Sequence, residues 1–387
     1  MPIRALFSLY LSDVMAGLYF HIPFCRTICG YCDFYRSADL RHIGEVLEAM
    51  ERELLLRRQF IGAEPVRTIY FGGGTPSLCR PEWFGRILER CRELFDCSQL
   101  EEVTVEANPD DLNVEYLSAL RRSGVDRLSM GVQSFDDGVL RFMRRRHDAA
   151  AAVAAVHAAR EAGFGNITID LIYGVPCGGS EALERSLDKA LELSVEHVSA
   201  YHLTIEPATM FGRMASEGRL KAVDESVSEY EYALVDRRLT EAGYEHYEIS
   251  NFARAGFRSR HNSSYWHSQH YLGIGPAAHS FDGRIRRWAV SSIAGYLKGV
   301  DDGSCYEEER LTDDDRYNET VMTSLRCIEG IGLSELEKSF GCARKEYLLQ
   351  RAGRFLQQGL LARCGDRLSI PPRHWLISDS VIAELFL

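Results

Sequence analysis

Between about residues 17 and 250, short runs rich in Val, Ile, Leu and Tyr alternate with longer stretches whose apolar residues recur at three and four positions. The short runs predict six strands: "GLYFHI" (17–22), "VRTIYF" (66–71), "EEVTVEA" (101–107), "VDRLSMGV" (125–132), "NITIDLIYG" (166–174) and "HVSAYHL" (197–203). Each ends near Gly, Pro, Asn or another polar residue, as strands do. Between them, "IGEVLEAMERELLLRRQF", "PEWFGRILERCRELF" and "SEALERSLDKALELS" have helical periodicity. Ala149 to Ala159 is a strong helix-forming run. Strand and helix in strict alternation predict an α/β chain built on a parallel sheet, and six βα units read as an open or partial (β/α)6 barrel. In such folds functional groups gather at the C-terminal ends of the strands. That rim would collect a cysteine-rich loop, "GGGTP" (72–76), "EANP" (106–109), "GVQS" (131–134) and Asp170.

The cadence breaks after about residue 250. The stretch "SNFARAGFRSRHNSSYWHSQHYLGIGPAAHSF" is aromatic, His-rich and Gly-rich, and reads as irregular structure with short strands. From about 311 helical patterns return, followed by a β-like pair around "LLARCGDRLSIP" and a last helix, "SDSVIAELFL", a smaller winged-helix-like unit. The expected organisation is an extension outside the fold at 1–16, a barrel at 17–250, a linking region at 251–310 and a C-terminal domain at 311–387. Within the extension, "ALFSLYL" is short and soon followed by Asp13, and Met15 is a candidate initiator just ahead of the first strand.

Composition narrows the class. At 387 residues the chain is long enough for one large domain and a smaller one. A net charge of −11 opposes nucleic acid and anionic membranes, although Arg141 to Arg146 is a local basic run. Eleven cysteines, an odd and scattered set with no secretory signal, point to a reducing, cytoplasmic setting rather than a disulfide scaffold.

The chemistry starts at "HIPFCRTICGYCDFYR" (21–36). Cys25, Cys29 and Cys32 form CxxxCxxC, and position 34 carries Phe34. Three thiolates at this spacing suit an iron–sulfur cube with one iron left open. A zinc site completed by His21, or packed structural thiols, are the plainer alternatives. Glycines in "GGGTP" let backbone approach a ligand closely, or simply make a tight turn. Glu106, Gln133, Arg145 and Asp170 fall at or just beyond strand ends.

With Tyr31 just before the last cysteine, this pattern resembles the radical S-adenosylmethionine (SAM) superfamily. "LYFHIPFC", "GGGTPS", "MGVQSF", "DLIYGVP" and "YEISNFA" are similar to its coproporphyrinogen III dehydrogenase-like branch, which holds the oxidase family HemN and the heme-chaperone family HemW. The likeness runs from about residue 17 to the end. It implies a [4Fe-4S] cluster on the three cysteines, whose open iron takes the amino and carboxylate groups of SAM and whose electron splits SAM to a 5′-deoxyadenosyl radical. It further implies SAM contacts from Tyr19, Tyr31, Gly73, Gly74, Thr75, Glu106, Gln133, Arg145 and Asp170. Two departures separate the relatives: the oxidases continue to a fourth cysteine where this chain has Phe34, and they carry a long N-terminal extension. Both resemble HemW. "HNSSYW" (261–266) matches the HNxxYW motif of that family, so the resemblance implies heme contact from His261, Asn262, Tyr265 and Trp266, with His267, His270 and His279 as competitors. A satisfied histidine in an aromatic core, with Tyr265 and Trp266 cementing the two domains, is the competing reading. Because the motif lies beyond the last strand, it is expected to be separable from the cluster. Implied partners are heme, hemoprotein recipients including respiratory, membrane-associated ones, and an electron donor, with no nucleic acid. An oxygen-independent coproporphyrinogen III oxidase and a radical SAM enzyme acting on RNA are the alternative functions.

Overall fold

A computed structural model describes residues 15–387, so "ALFSLYL" and the expectations for residues 1–14 lie outside the described residues. Strands β1 (Ala16–Ile22), β2 (Val66–Gly73), β3 (Glu102–Ala107), β4 (Arg127–Gln133), β5 (Ile167–Tyr173) and β6 (His197–His202) pair in that order, all parallel. Period-two alternation gives this sheet two chemically different faces. One face presents Leu18, Phe20, Phe71, Val105, Met130 and Ile169, all fully buried beneath the crossover helices. Each such side chain contributes about 1.5–3 kcal/mol. The other face points into the lumen and is polar: Tyr19, His21, Thr68, Tyr70, Glu106, Arg127, Asp170. Since all six strands are parallel, their C-terminal ends share one rim, where the cysteine loop, the glycine turn and the ends of β3 to β5 meet.

Ala16 belongs to the fold. It is buried, starts β1 and donates its N–H to Pro65 O at 3.0 Å, so the extension ends one residue earlier than expected. The stretch after residue 250 is also more ordered than its composition suggests. β8 (Asn251–Ala253) adds antiparallel to β6, and β7 (Glu245–Glu248) pairs antiparallel with β8 at the edge. On the opposite side, β9 (His270–Ile274) pairs in parallel with β1, and β10 (His279–Phe281), β11 (Ile285–Ala289) and β12 (Tyr306–Arg310) follow antiparallel. Residues 251–310 therefore complete a sheet of twelve strands rather than link two domains, and the barrel stays open because β12 and β7 are its two edges.

At the C-terminal end, helices Asp313–Leu325, Leu333–Phe340 and Cys342–Gln357 carry a small antiparallel sheet of β13 (Ile331–Gly332), β14 (Ala362–Cys364) and β15 (Arg367–Ser369). A capping box between Thr312 and Asp315 starts the first of these helices. Trp375, fully buried, meets the His246 ring edge-on at 4.6 Å, and Tyr232 donates to Pro372 O at 2.6 Å, tying this unit to the barrel. Among the described residues no helix is long and apolar enough to cross a membrane.

Candidate functional site

The cysteine loop leaves β1 and is closed at its base by two backbone bonds, Cys25 N–H to Ser37 O (3.0 Å) and Ser37 N–H to Pro23 O (2.7 Å). Its tip is held by Gly30, which donates to Met143 O at 3.1 Å and accepts from Phe211 N–H at 2.9 Å. A Cβ at Gly30 would lie 2.6 Å from the Phe211 ring, so no larger residue fits beneath the loop. Each thiol then has its own surroundings. Thr75 Oγ1 donates to Cys25 Sγ at 3.4 Å and Arg145 Nη1 to Cys29 Sγ at 3.3 Å. Burial pushes Cys25 up to about 11, helped by the neighbouring Cys32 and Cys29 and opposed by Thr75. Burial raises Cys32 as well. Metal loading must therefore displace protons from the loop. Among the described residues no three His, Cys, Asp or Glu side chains are drawn together closely enough to hold a metal ion as they stand.

The glycine turn packs directly on this loop. Gly74 N–H reaches Ile22 O at 2.8 Å, and a Cβ at Gly74 would meet the Phe24 backbone at 2.6 Å. Gly73 has φ of 107° and offers its N–H to Glu106 at 3.1 Å, while Tyr70 donates its hydroxyl to the other Glu106 oxygen at 2.8 Å. Arg145 spans the rim: Nη2 donates to Asn108 Oδ1 at 2.7 Å and to Gly131 O at 2.5 Å, and its buried Nε has no partner. An unpaired guanidinium N–H beside the thiols fits an incoming carboxylate. Burial opposes the Arg145 charge, but Tyr31 and Cys29 outweigh it and raise its pKa. Gln133 sits in the left-handed region at φ 69°, a strained position of the kind found at ligand sites, and its amide lies over Gly131 beside Arg145. Tyr31 packs with the apolar cluster of Met143, Val175 and Phe211.

Below the rim, Tyr70, Glu106, Arg127, Asp170, His197 and Asn262 line a small polar pocket. Glu106 and Asp170 are half-exposed to that cavity yet surrounded by protein. Burial pushes Glu106 to about 7, with Asp170 adding to the rise and Tyr70 and Gly73 opposing it. Asp170 is pushed to about 6 by burial, against Ser199, Arg127 and Arg145. The folded state thus holds the Asp170 proton more tightly than the unfolded state. Its contribution to stability is complete below about pH 4 and lost as pH rises through about 6. Asp170→Asn should therefore gain about 1–2 kcal/mol relative to the parent protein between pH 4.5 and 7.5. Parallel denaturant melts of both proteins, free of cofactors, measure this, and a difference constant with pH would contradict it.

The 261–266 motif is not a loop. Ser259 caps the helix Arg260–Trp266, and Glu102 accepts both the Arg260 and His261 N–H groups at 3.0 Å. This short helix lies against the concave face of β1, β2 and β3 and plugs the lumen. His261 is buried, with Nδ1 on Thr68 Oγ1 at 2.8 Å and Nε2 on Tyr265 Oη at 2.9 Å. Its ring stacks on Tyr70 at 4.9 Å and Tyr19 at 6.3 Å, and burial lowers its pKa to about 3. Asn262 faces the cavity, and half-buried Trp266, five residues on from His261, is turned about 140° from it by the helical repeat. The geometry is that of a satisfied core histidine, so His261 has no free nitrogen for iron. Tyr70, stacked on His261, also donates to Glu106 and so links this helix to the rim. Asn108 and Tyr70 escaped the sequence reading, although "EANP" and strand alternation carried the signal.

This arrangement is matched elsewhere. Residues 19–190 match the Radical SAM superfamily and 311–377 match the HemN C-terminal domain. The heme chaperone HemW of Mycobacterium tuberculosis is 38% identical over 375 residues, 95% of this chain and 94% of that protein. HemW of Lactococcus lactis is 35% identical over 371 residues, covering 95% and 97%. A solved structure of coproporphyrinogen III oxidase (HemN) from Escherichia coli superimposes with a TM-score of 0.82 over 97% of this chain and 90% of the other, at 24% identity, which establishes a shared fold. The chain belongs to the radical SAM superfamily, in its HemW family. Membership implies use of SAM and an iron–sulfur cluster in general terms.

Proposed function

We propose that the protein is a HemW-like heme chaperone that binds a [4Fe-4S] cluster, SAM and heme and delivers heme to hemoproteins. The observation that carries this reading is the likeness to heme chaperones along nearly the full length of both chains. Local features support it. Cys25, Cys29 and Cys32 are the cluster ligands, and Phe34, where the oxidases have a further cysteine, is 69% exposed. Arg145 Nε takes the SAM carboxylate, Glu106 the ribose hydroxyls, and the backbone of Gly73 and Gly74, with Thr75, closes over the amino acid part. Tyr19, Tyr31, Gln133 and Asp170 complete the walls. When bound, the two cofactors supply reductive cleavage of SAM, and an external electron donor feeds the cluster.

The test is anaerobic reconstitution with iron and sulfide, followed by a hemin titration and a coproporphyrinogen III decarboxylation assay on one preparation. Stoichiometric hemin binding without decarboxylation is expected. Decarboxylation with no hemin binding would replace this reading with the oxidase one.

A further inference from the structure

Iron ligation needs an imidazole nitrogen that is both free and reachable. Of the twelve histidines, nine have one ring nitrogen committed to a hydrogen bond or ion pair, which leaves the second able to ligate in several of them, but of these nine only His42, held by Glu45, is exposed. The other three, His157, His267 and His279, are exposed. His157 lies on the helix Ala149–Glu161, outside the barrel wall, and His267 caps the end of the plug helix. His279 alone of the four exposed histidines has both ring nitrogens unengaged, an aromatic ring that sets its orientation and a place beside the cluster loop.

Several contacts fix that position. β9 runs parallel to β1, so the turn after Ile274 emerges at the same rim as the cysteines. Gly275, at φ 106°, packs so closely on this edge that a Cβ would lie 2.6 Å from His21 O. The turn is pinned by Ala277 N–H to Val290 O at 3.2 Å and Ala278 N–H to Gly275 O at 3.1 Å. His279 then begins β10, and its ring is near enough to His21 to depress the basicity of that buried imidazole, after burial itself and against the Tyr35 carbonyl. Next along this edge the cluster loop continues into Phe34, with Tyr35 Oη accepting from Ile293 N–H at 2.7 Å.

The ring of His279 is also held in a set orientation. Across the β10–β11 ladder it faces Trp288, the rings lying 5.7 Å apart and 22° from parallel. Trp288 is itself fixed by donating Nε1–H to Glu307 at 3.1 Å. An iron bound to imidazole lies in the imidazole plane, so a porphyrin on His279 would stand edge-on to the indole. Trp288 thus orients the ligand rather than stacking on the macrocycle. The exposed Phe34 side chain offers apolar surface on the same rim.

We propose that His279 is the axial ligand to heme iron, oriented by Trp288 at the rim beside the cluster, while the 261–266 helix acts as a plug of the lumen. This inference rests on the heme-chaperone reading and goes beyond it by naming a ligand outside the HNxxYW motif. The test uses cluster-loaded full-length protein titrated with hemin and followed in the Soret region. His279→Ala should weaken hemin binding at least tenfold and shift the band, with iron and sulfide content unchanged. Added imidazole should restore the parent spectrum. His279→Tyr, which keeps an aromatic ring on Trp288, should give the spectrum of phenolate-ligated heme. His157→Ala should behave like the parent. Parent-like affinity and spectrum in both His279 variants would overturn the inference while leaving the chaperone reading intact. Absence of hemin binding by the parent protein itself would remove both.

Discussion

Cys29→Ser protein, reconstituted anaerobically, is expected to carry no cluster: iron and sulfide near background and no charge-transfer absorption. The three thiols at 25, 29 and 32 leave no spare ligand within the loop. The nearest cysteine in sequence, Cys79, is buried in the hydrophobic core. Serine is a poor substitute because a cluster iron is held by thiolate. Cys29 also accepts from Arg145 Nη1, so its loss frees a buried guanidinium as well as an iron position. Cys25→Ser and Cys32→Ser should behave alike. Phe34→Cys should load its cluster normally and gain no decarboxylase activity, since position 34 is open to solvent. A Cys29→Ser protein with full iron and sulfide would end the assignment.

His261→Ala is expected to lower stability by about 2–5 kcal/mol without changing the hemin spectrum. The imidazole fills the space between Tyr70, Tyr19 and Tyr265 and is a hydrogen-bond partner to two hydroxyls. Alanine leaves a cavity there and strands Thr68 Oγ1 and Tyr265 Oη, each costing about 1–3 kcal/mol if no water enters. Loosening Tyr70 also frees one of the two donors that orient Glu106, so SAM affinity should fall with stability. Denaturant melts, SAM binding and hemin titration on the same variant separate the two views of the motif. A fully stable His261→Ala protein that has lost its hemin spectrum would restore the histidine to the heme site.

The six barrel strands were legible because each carries its own period-two pattern and its own stop signal, both local properties of the chain. The prediction for "GLYFHI" missed only Ala16, whose methyl gives no strand signal but whose N–H is needed by Pro65. The thiols were legible because CxxxCxxC places three cysteines on one short loop whatever surrounds it. The stretch after 250 was not. "HYLGI" is too short and too glycine-rich to announce β9, and its parallel pairing with β1 joins segments some 250 residues apart that no local pattern connects. The same holds for the helix Arg260–Trp266, seven residues long, which is specified by the Ser259 cap and the Glu102 carboxylate rather than by apolar periodicity. By itself, then, the sequence determined the βα barrel, the cysteine loop and the polar residues at its rim, because spacing and alternation carry those features along the chain. Only the tertiary structure decided which histidine is spent in the core and which is free, because that depends on what packs against each ring once distant strands have met.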